Sequence, residues 1–415
     1  MAWRIVTGWI FGCLLAANAL HGQEWDRFRG PNGSGLSLAE SVPTRWTEAD
    51  FKWRASLEGR GHSSPVAWGQ RLFVTSGDDA TDERLVYALD AATGSTLWLK
   101  RSAGEKYGKH ALNSIASSTP AVDADRLYTC WGSPDALLVQ AWNHAGDEVW
   151  RTKLGETSGG HGFGVSPIRH EDLLIVPNED GEGSLVALDC RDGSERWRAP
   201  RKTQVAWSTP CVYRRSSGMA ELIFTNWQSG ITAVDPSSGK TTWEISVFDR
   251  QHDESAIASP IVVGDLVLGT CGYLGHATHT VAVRPEPKIS PDGATGTAKI
   301  VYRVDRGAPL TGTPVATEHW LFLWADDGIV TCVDVKTGKL AWRKRVGGTY
   351  YGSPIVAGGH LYCMNTAGEC VVLAASGEYK LIARNPLGEA SHSTPAVVQG
   401  RLYLRTFTRL MCLGE

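Results

Sequence analysis

The chain has 415 residues, 42% of them hydrophobic and 20% charged, with a formal net charge of -3. Disorder is not expected from that composition, and the lack of a basic block or acidic tail argues against nucleic acid or an anionic membrane surface as main partner. The 46 Gly and 17 Trp suit a fold with many tight turns and a repeated place for an indole ring.

Residues 1–19 read as a signal peptide. Arg4 supplies the positive start, Ile5 to Ala17 an apolar run, and Ala17-Asn18-Ala19 an A-x-A cleavage site. The expected mature chain begins at Leu20 and is periplasmic or secreted. The run is too short for a permanent anchor, so no transmembrane segment is expected. A lipoprotein signal ending at Cys13 is disfavoured, because the apolar run continues through Leu14, Leu15 and Ala16. Residues 20–50 are expected to form an N-terminal segment packed on the rest. Within it Gly30-Pro31-Asn32-Gly33-Ser34-Gly35 has no strand before it and no helix after it, so it reads as a run of turns, not a phosphate loop.

From residue 51 to 415 the sequence repeats. A Ser-Pro or Thr-Pro pair opens each unit at Pro65, Pro120, Pro167, Pro210, Pro260, Pro314, Pro354 and Pro395, at intervals of 40 to 55 residues. Blades of four strands need about 40–50 residues, so the count predicts an all-β, eight-bladed propeller of antiparallel four-stranded blades. Pro lacks an N–H and can open a strand without spoiling a ladder. Each unit then runs through short apolar strands to a turn ending in Gly, and in five units a Trp follows four residues later. These pairs are Gly94 and Trp98, Gly146 and Trp150, Gly193 and Trp197, Gly239 and Trp243, and Gly338 and Trp342. The Asp-x-x-Thr-Gly turn uses the carboxylate to hold backbone N–H groups and Gly to take positive φ. The Trp, early in the fourth strand, is expected to cover its own sheet and touch the next blade.

Blade five departs from the pattern, with Ile300 four residues after Gly296 and an insertion from Glu286 to Gly296; blade seven has Leu381 at the equivalent place. The last unit stops early. The stretch Phe51 to Leu57, with Trp53 in the tryptophan role, is expected to supply its missing strand, so that both chain ends share one blade and no open edge is left. Eight of the nine Cys follow Ala19, none adjacent and none in a C-x-x-C; they read as small buried hydrophobes. G-x-S-x-G, H-E-x-x-H and Walker sequences are absent.

The Ala-x-Asp-x-x-Thr-Gly-x-x-x-Trp repeat resembles the pyrroloquinoline quinone (PQQ)-like propellers. That group holds quinoprotein alcohol and glucose dehydrogenases, together with non-enzymatic scaffolds such as the propeller of the bacterial outer-membrane β-barrel assembly machinery. The stretches Trp25 to Gly35 and Gly61-His62-Ser63-Ser64-Pro65 resemble short exported bacterial members of unassigned function. For a dehydrogenase the resemblance implies PQQ with calcium. Many such enzymes are much longer and carry a disulfide between adjacent Cys, which is absent here, as is a recognisable Glu, Asn and Asp set for calcium.

In a propeller the first strand lines the axis, so residues just before each Pro crowd the channel mouth. Three residues before Pro stand His62, Ser117, Gly164, Trp207, Ile257, Thr311, Tyr351 and His392. Ring closure makes blades seven, eight and one neighbours, so Tyr351, His392 and His62 are expected together, with Trp207 across the axis. The same loops add His110, His161, Tyr350, His252, Asp253 and Glu254. These groups either form a ligand pocket or fill the channel and bond neighbouring backbone. No ligand spacing supports a metal. The expected function is therefore an exported, non-catalytic propeller, monomeric, that binds a protein partner or small-molecule ligand. The alternatives are a PQQ-dependent alcohol or sugar dehydrogenase and a polysaccharide-binding module.

Overall fold

A computed structural model describes residues 25–157, 160–179, 183–201, 206–248, 255–273, 278–286 and 296–414. Residues 1–24, where the signal peptide is expected, lie outside it. Strands assemble into eight four-stranded antiparallel sheets. Blade one is typical: Val66–Trp68, Arg71–Gly77, Arg84–Asp90 and Thr96–Ser102 pair in sequence order.

Blade eight is built from both parts of the chain. Ala396–Val398, Arg401–Arg405 and Arg409–Leu413 are completed by Trp53–Ser56, with Trp53 opposite Cys412 and Ser56 opposite Arg409. A sheet closed in this way leaves no gap in the ring.

The ring is held at its axis by the residue before each Pro. The Ser64 N–H donates to the Thr119 hydroxyl, Thr119 to Ser166, Ser166 to Thr209 and Thr209 to Ser259, each at 2.9–3.1 Å. Ser259 donates to Thr313, Thr313 to Ser353, Ser353 to Thr394, and Thr394 back to Ser64. Eight blades are thus joined by a closed belt of backbone-to-hydroxyl bonds. This explains why a hydroxyl residue precedes every Pro: each buried N–H needs an acceptor, and only the next blade's side chain reaches it.

The core lies between blades rather than within them. One apolar cluster joins blades six and seven, another blades one and two, and the largest joins blades seven, eight and one to Trp25, Val42 and Trp46. The indoles work at these contacts. Trp53 Nε1 donates to Ala91 O at 3.2 Å, Trp98 to His144 O at 3.0 Å, Trp150 to Cys190 O at 3.0 Å and Trp197 to Pro236 O at 2.7 Å, all turns of the following blade. Burying one such ring contributes about 2–3 kcal/mol.

Register moves the exceptional positions from where spacing puts them. In blade five the residue in the tryptophan place is Tyr302, opposite Ala282, not Ile300, and its hydroxyl donates to Val335 O at 2.8 Å. In blade seven it is Ala383, opposite Val372, not Leu381. The third-strand bulge is the same as in the blades that carry the Trp. In blades five and seven the fourth-strand residue paired on the turn side of that bulge stands four residues after the Gly, at Ile300 and Leu381, instead of two, so counting from the Gly lands two residues short. The eight cysteines from Cys130 onward are all buried thiols.

Residues 25–46 cross the end of the channel that the first strands run towards. Trp25 O accepts from Ala67 N in blade one, and Asp26 O from Val122 N in blade two. The Asn32 amide pairs both ways with the Val212 backbone in blade four. Gly35 O accepts from Val356 N in blade seven, and Tyr362 donates to Val42 O at 3.2 Å. Arg29 has no exposed surface; its guanidinium is bonded to the carbonyls of Gly33, Ser34, Thr313 and Pro314. One mouth of the channel is plugged.

Candidate functional site at the open mouth

The opposite mouth is formed by the connections that lead into each first strand. His62 reaches it on the link from Trp53–Ser56 into blade one, and is fixed there by backbone bonds. His62 N donates to Ala116 O at 3.0 Å, and the Ser393 hydroxyl donates to His62 O at 3.0 Å. His392 and Tyr351 arrive by the same route in blades eight and seven. The His62 and His392 ring centroids are 4.5 Å apart, and Tyr351 meets His392 edge-on at 4.8 Å. Phe407, on the turn between two strands of blade eight, lies 5.3 Å from His62 and 5.0 Å from His392. The Arg60 guanidinium lies over the Phe407 ring, 4.1 Å from its centroid.

His62, Tyr351 and His392 are each half-buried. Burial pushes the His392 imidazole down to about 4, aided by Arg60 and partly offset by its bond to the Leu112 backbone. His62 is pushed well below the usual histidine range by burial first, then by His392, Arg405 and Arg60. Both rings are therefore neutral at pH 7.

A second group sits on the connections into blades two, three and four. Trp207 meets His161 edge-on at 5.5 Å and donates to Gly162 O at 3.1 Å; His110 stacks on His161 at 5.8 Å. Around the rest of the mouth the ring position is held by Gly164 and Ile257 and by two hydrogen-bonded hydroxyls, Ser117, which donates to Asn113, and Thr311, which donates to Asp326 at 2.6 Å. Tyr350 is not a mouth residue: it is buried against Trp324 in the core between blades six and seven. His252, Asp253 and Glu254 lie outside the described residues.

The seam also contains groups that repeat spacing does not reveal. Phe407, Arg60 and Leu112 sit on loops that every blade has, at positions where the residue does not repeat from blade to blade. Arg405 carries a signal that could have been read, a charge ending the apolar run Leu402-Tyr403-Leu404.

The donor set decides which chemistry fits. Calcium takes six to eight oxygens, mainly from carboxylates and carbonyls. The Asp326 carboxylate already accepts from Leu310 N, Thr311 N and Thr311 Oγ1, and Glu389 from Thr406 and Thr408. Among the described residues no three His, Cys, Asp or Glu converge on one point, and the seam carries Arg60 and Arg405 instead. These residues do not fit a calcium–quinone pair. No carboxylate touches either imidazole among the described residues, so a base–orienter pair is also lacking.

Known proteins place this architecture. Polyvinylalcohol dehydrogenase from Pseudomonas sp is 25% identical over 348 residues, covering 76% of this chain and 50% of its own length. The chain thus spans half of that relative. Outer membrane protein assembly factor BamB from Yersinia pestis is 22% identical over 342 residues, covering 82% of this chain and 70% of its own. Among solved structures, BamB from Moraxella catarrhalis superposes with a TM-score of 0.63 at 14% identity, covering 88% of this chain and 96% of that one. Quinohemoprotein alcohol dehydrogenase from Comamonas testosteroni gives 0.64 at 14%, covering 96% and 81%. Likeness at this identity speaks for the fold alone. The family model described as outer membrane protein assembly factor BamB matches residues 47–128, 82–286 and 289–410, and the chain belongs to that family of PQQ-like propellers.

Proposed function

We propose that the chain, exported after loss of residues 1–19, is a monomeric, non-catalytic propeller that binds a protein partner at its open mouth. The observation that carries this reading is the stack of Tyr351, His392, His62 and Phe407 at the end of the channel opposite the plug. Half-buried rings offer a large apolar contact with little conformational entropy to lose, which is the profile of a binding anchor. Neutral imidazoles without a carboxylate or nucleophile in reach suit contact better than proton transfer. His161 and Trp207 extend the same surface across the axis. Relatives named as assembly factors agree with a scaffold role, and the dehydrogenase relatives keep an oxidoreductase as the rival.

The test is a photo-crosslinking side chain placed at Tyr351 in the producing cell, with Thr93 on the plugged face as control. A discrete protein adduct from position 351, absent from 93 and reduced by His392→Ala, is expected. Equal adducts from both positions would count against the mouth. Stoichiometric uptake of PQQ with calcium, accompanied by dye-linked oxidation of an alcohol or sugar, would replace the binding reading with the rival.

A further inference from the structure

The seam between blades eight and one holds two cations with no carboxylate in salt-bridge contact among the described residues. Arg405 has no exposed surface. Its Nη1 donates to the Ser63 carbonyl and hydroxyl, but Nε and Nη2 are buried without an acceptor. Arg60 is half-buried, and its Nε is likewise buried and unmatched. His62 Nε2 is a fourth buried nitrogen without a partner among the described residues. These groups are neighbours: Arg60 and His62 flank Gly61, and the Arg405 guanidinium lies against Gly61 so closely that a Cβ there would run into Nη2. His62 feels the charge of both arginines.

Glu389 is the carboxylate whose charge reaches Arg405, yet its oxygens are occupied by Thr406 and Thr408. An unpaired buried cation is costly, and so is each unmatched donor. A water molecule would satisfy the donors but leave the charge uncompensated. An anion does both. Because Arg405 is fully covered, the anion must be small enough to lie among packed side chains.

We infer that the blade eight–blade one seam binds a halide-sized anion through Arg405, Arg60 and His62. The ion would act as a charge lock where the two parts of the chain meet. This goes beyond partner binding at the mouth and does not depend on it.

Unfolding of the full mature chain in sodium chloride or bromide, compared with sodium gluconate at equal ionic strength and neutral pH, tests the site. Gluconate is too large to enter. A ligand that binds only the folded state raises the midpoint, and saturation is expected to add about 2–4 °C. Arg60→Gln, on a half-buried side chain, is expected to abolish that rise; Arg405→Gln should do the same if it folds. Bromide-soaked crystals should show an anomalous peak beside the Arg405 guanidinium. Equal midpoints in the two salts, a chloride response that survives Arg60→Gln, or a seam without bromide would overturn the site. Crosslinking from position 351 would be unaffected by any of these results, so the two readings fail separately.

Discussion

The backbone N–H of Thr394 donates to the Ser64 hydroxyl at 3.1 Å, joining two residues 330 apart in sequence. It is the bond that turns seven consecutive links into a closed belt. Ser64→Ala removes the acceptor and leaves the Thr394 N–H buried and unmatched, which should cost about 1–3 kcal/mol. Ser64→Thr keeps the hydroxyl, as four other positions of the belt do naturally, and should stay within about 1 kcal/mol of the parent. Urea denaturation of the two variants against the parent measures the difference.

Trp53 is the second element of closure. Its ring rests on Gly94, which has φ 72° and no room for a Cβ. Trp53→Ala should cost about 3–5 kcal/mol and expose the seam to protease before the other blades. Gly94→Ala combines an unfavourable φ with a collision against the same ring, and should cost more than about 1 kcal/mol. If both variants melt like the parent, closure through this strand contributes little.

The eight-fold count and the sharing of blade eight were legible because Pro, Gly and Trp each perform a backbone or packing task that few residues can do. The belt is not legible in the sequence, although its Ser and Thr residues stand before every Pro, because a hydroxyl in a sequence does not name its partner 40 to 55 residues away. Tyr302 and Ala383 escape the spacing for a local reason, since in blades five and seven two more residues separate the Gly from the bulge. At the mouth, ring closure was enough to bring His62, His392 and Tyr351 together. Phe407 and Arg60 complete that cluster from loop positions whose residues do not repeat, so periodicity carries no information about them.

The imidazoles make stability fall on the acid side of neutrality. His392 titrates near 4 in the folded chain and near 6.5 when unfolded, and His62 shifts in the same direction. Between those values the unfolded chain binds more protons, so the contribution is intact above about pH 6.5 and is lost as pH falls toward 4. Asp26 and Asp326 are raised by burial and act in the opposite sense at the acid end of that window. The comparison must therefore be with His392→Asn, which should show a flatter dependence of the urea midpoint between pH 6.5 and 4. Parallel curves for the two proteins would remove His392 as a source of the slope.

Arg29 locks the plug in a way that lysine cannot copy. Its planar fork serves carbonyls from two directions, Gly33 and Ser34 in its own segment and Thr313 and Pro314 in blade six. Burial lowers it only to about 9, so it stays charged at neutral pH. In Arg29→Lys a single ammonium can meet only part of that set, and the remaining carbonyls lose their donors. The variant should be about 2–3 kcal/mol less stable. The loss should also be local. Hydrogen exchange should quicken at Ala67 N, bonded to Trp25 O, and at Val356 N, bonded to Gly35 O. It should stay at the parent rate at Leu185 and Ala187, in the third strand of blade three, whose partners lie within their own sheet. Exchange that accelerates equally in blade three would mean that the plug is part of the global folding unit rather than a separately opening cover on the channel.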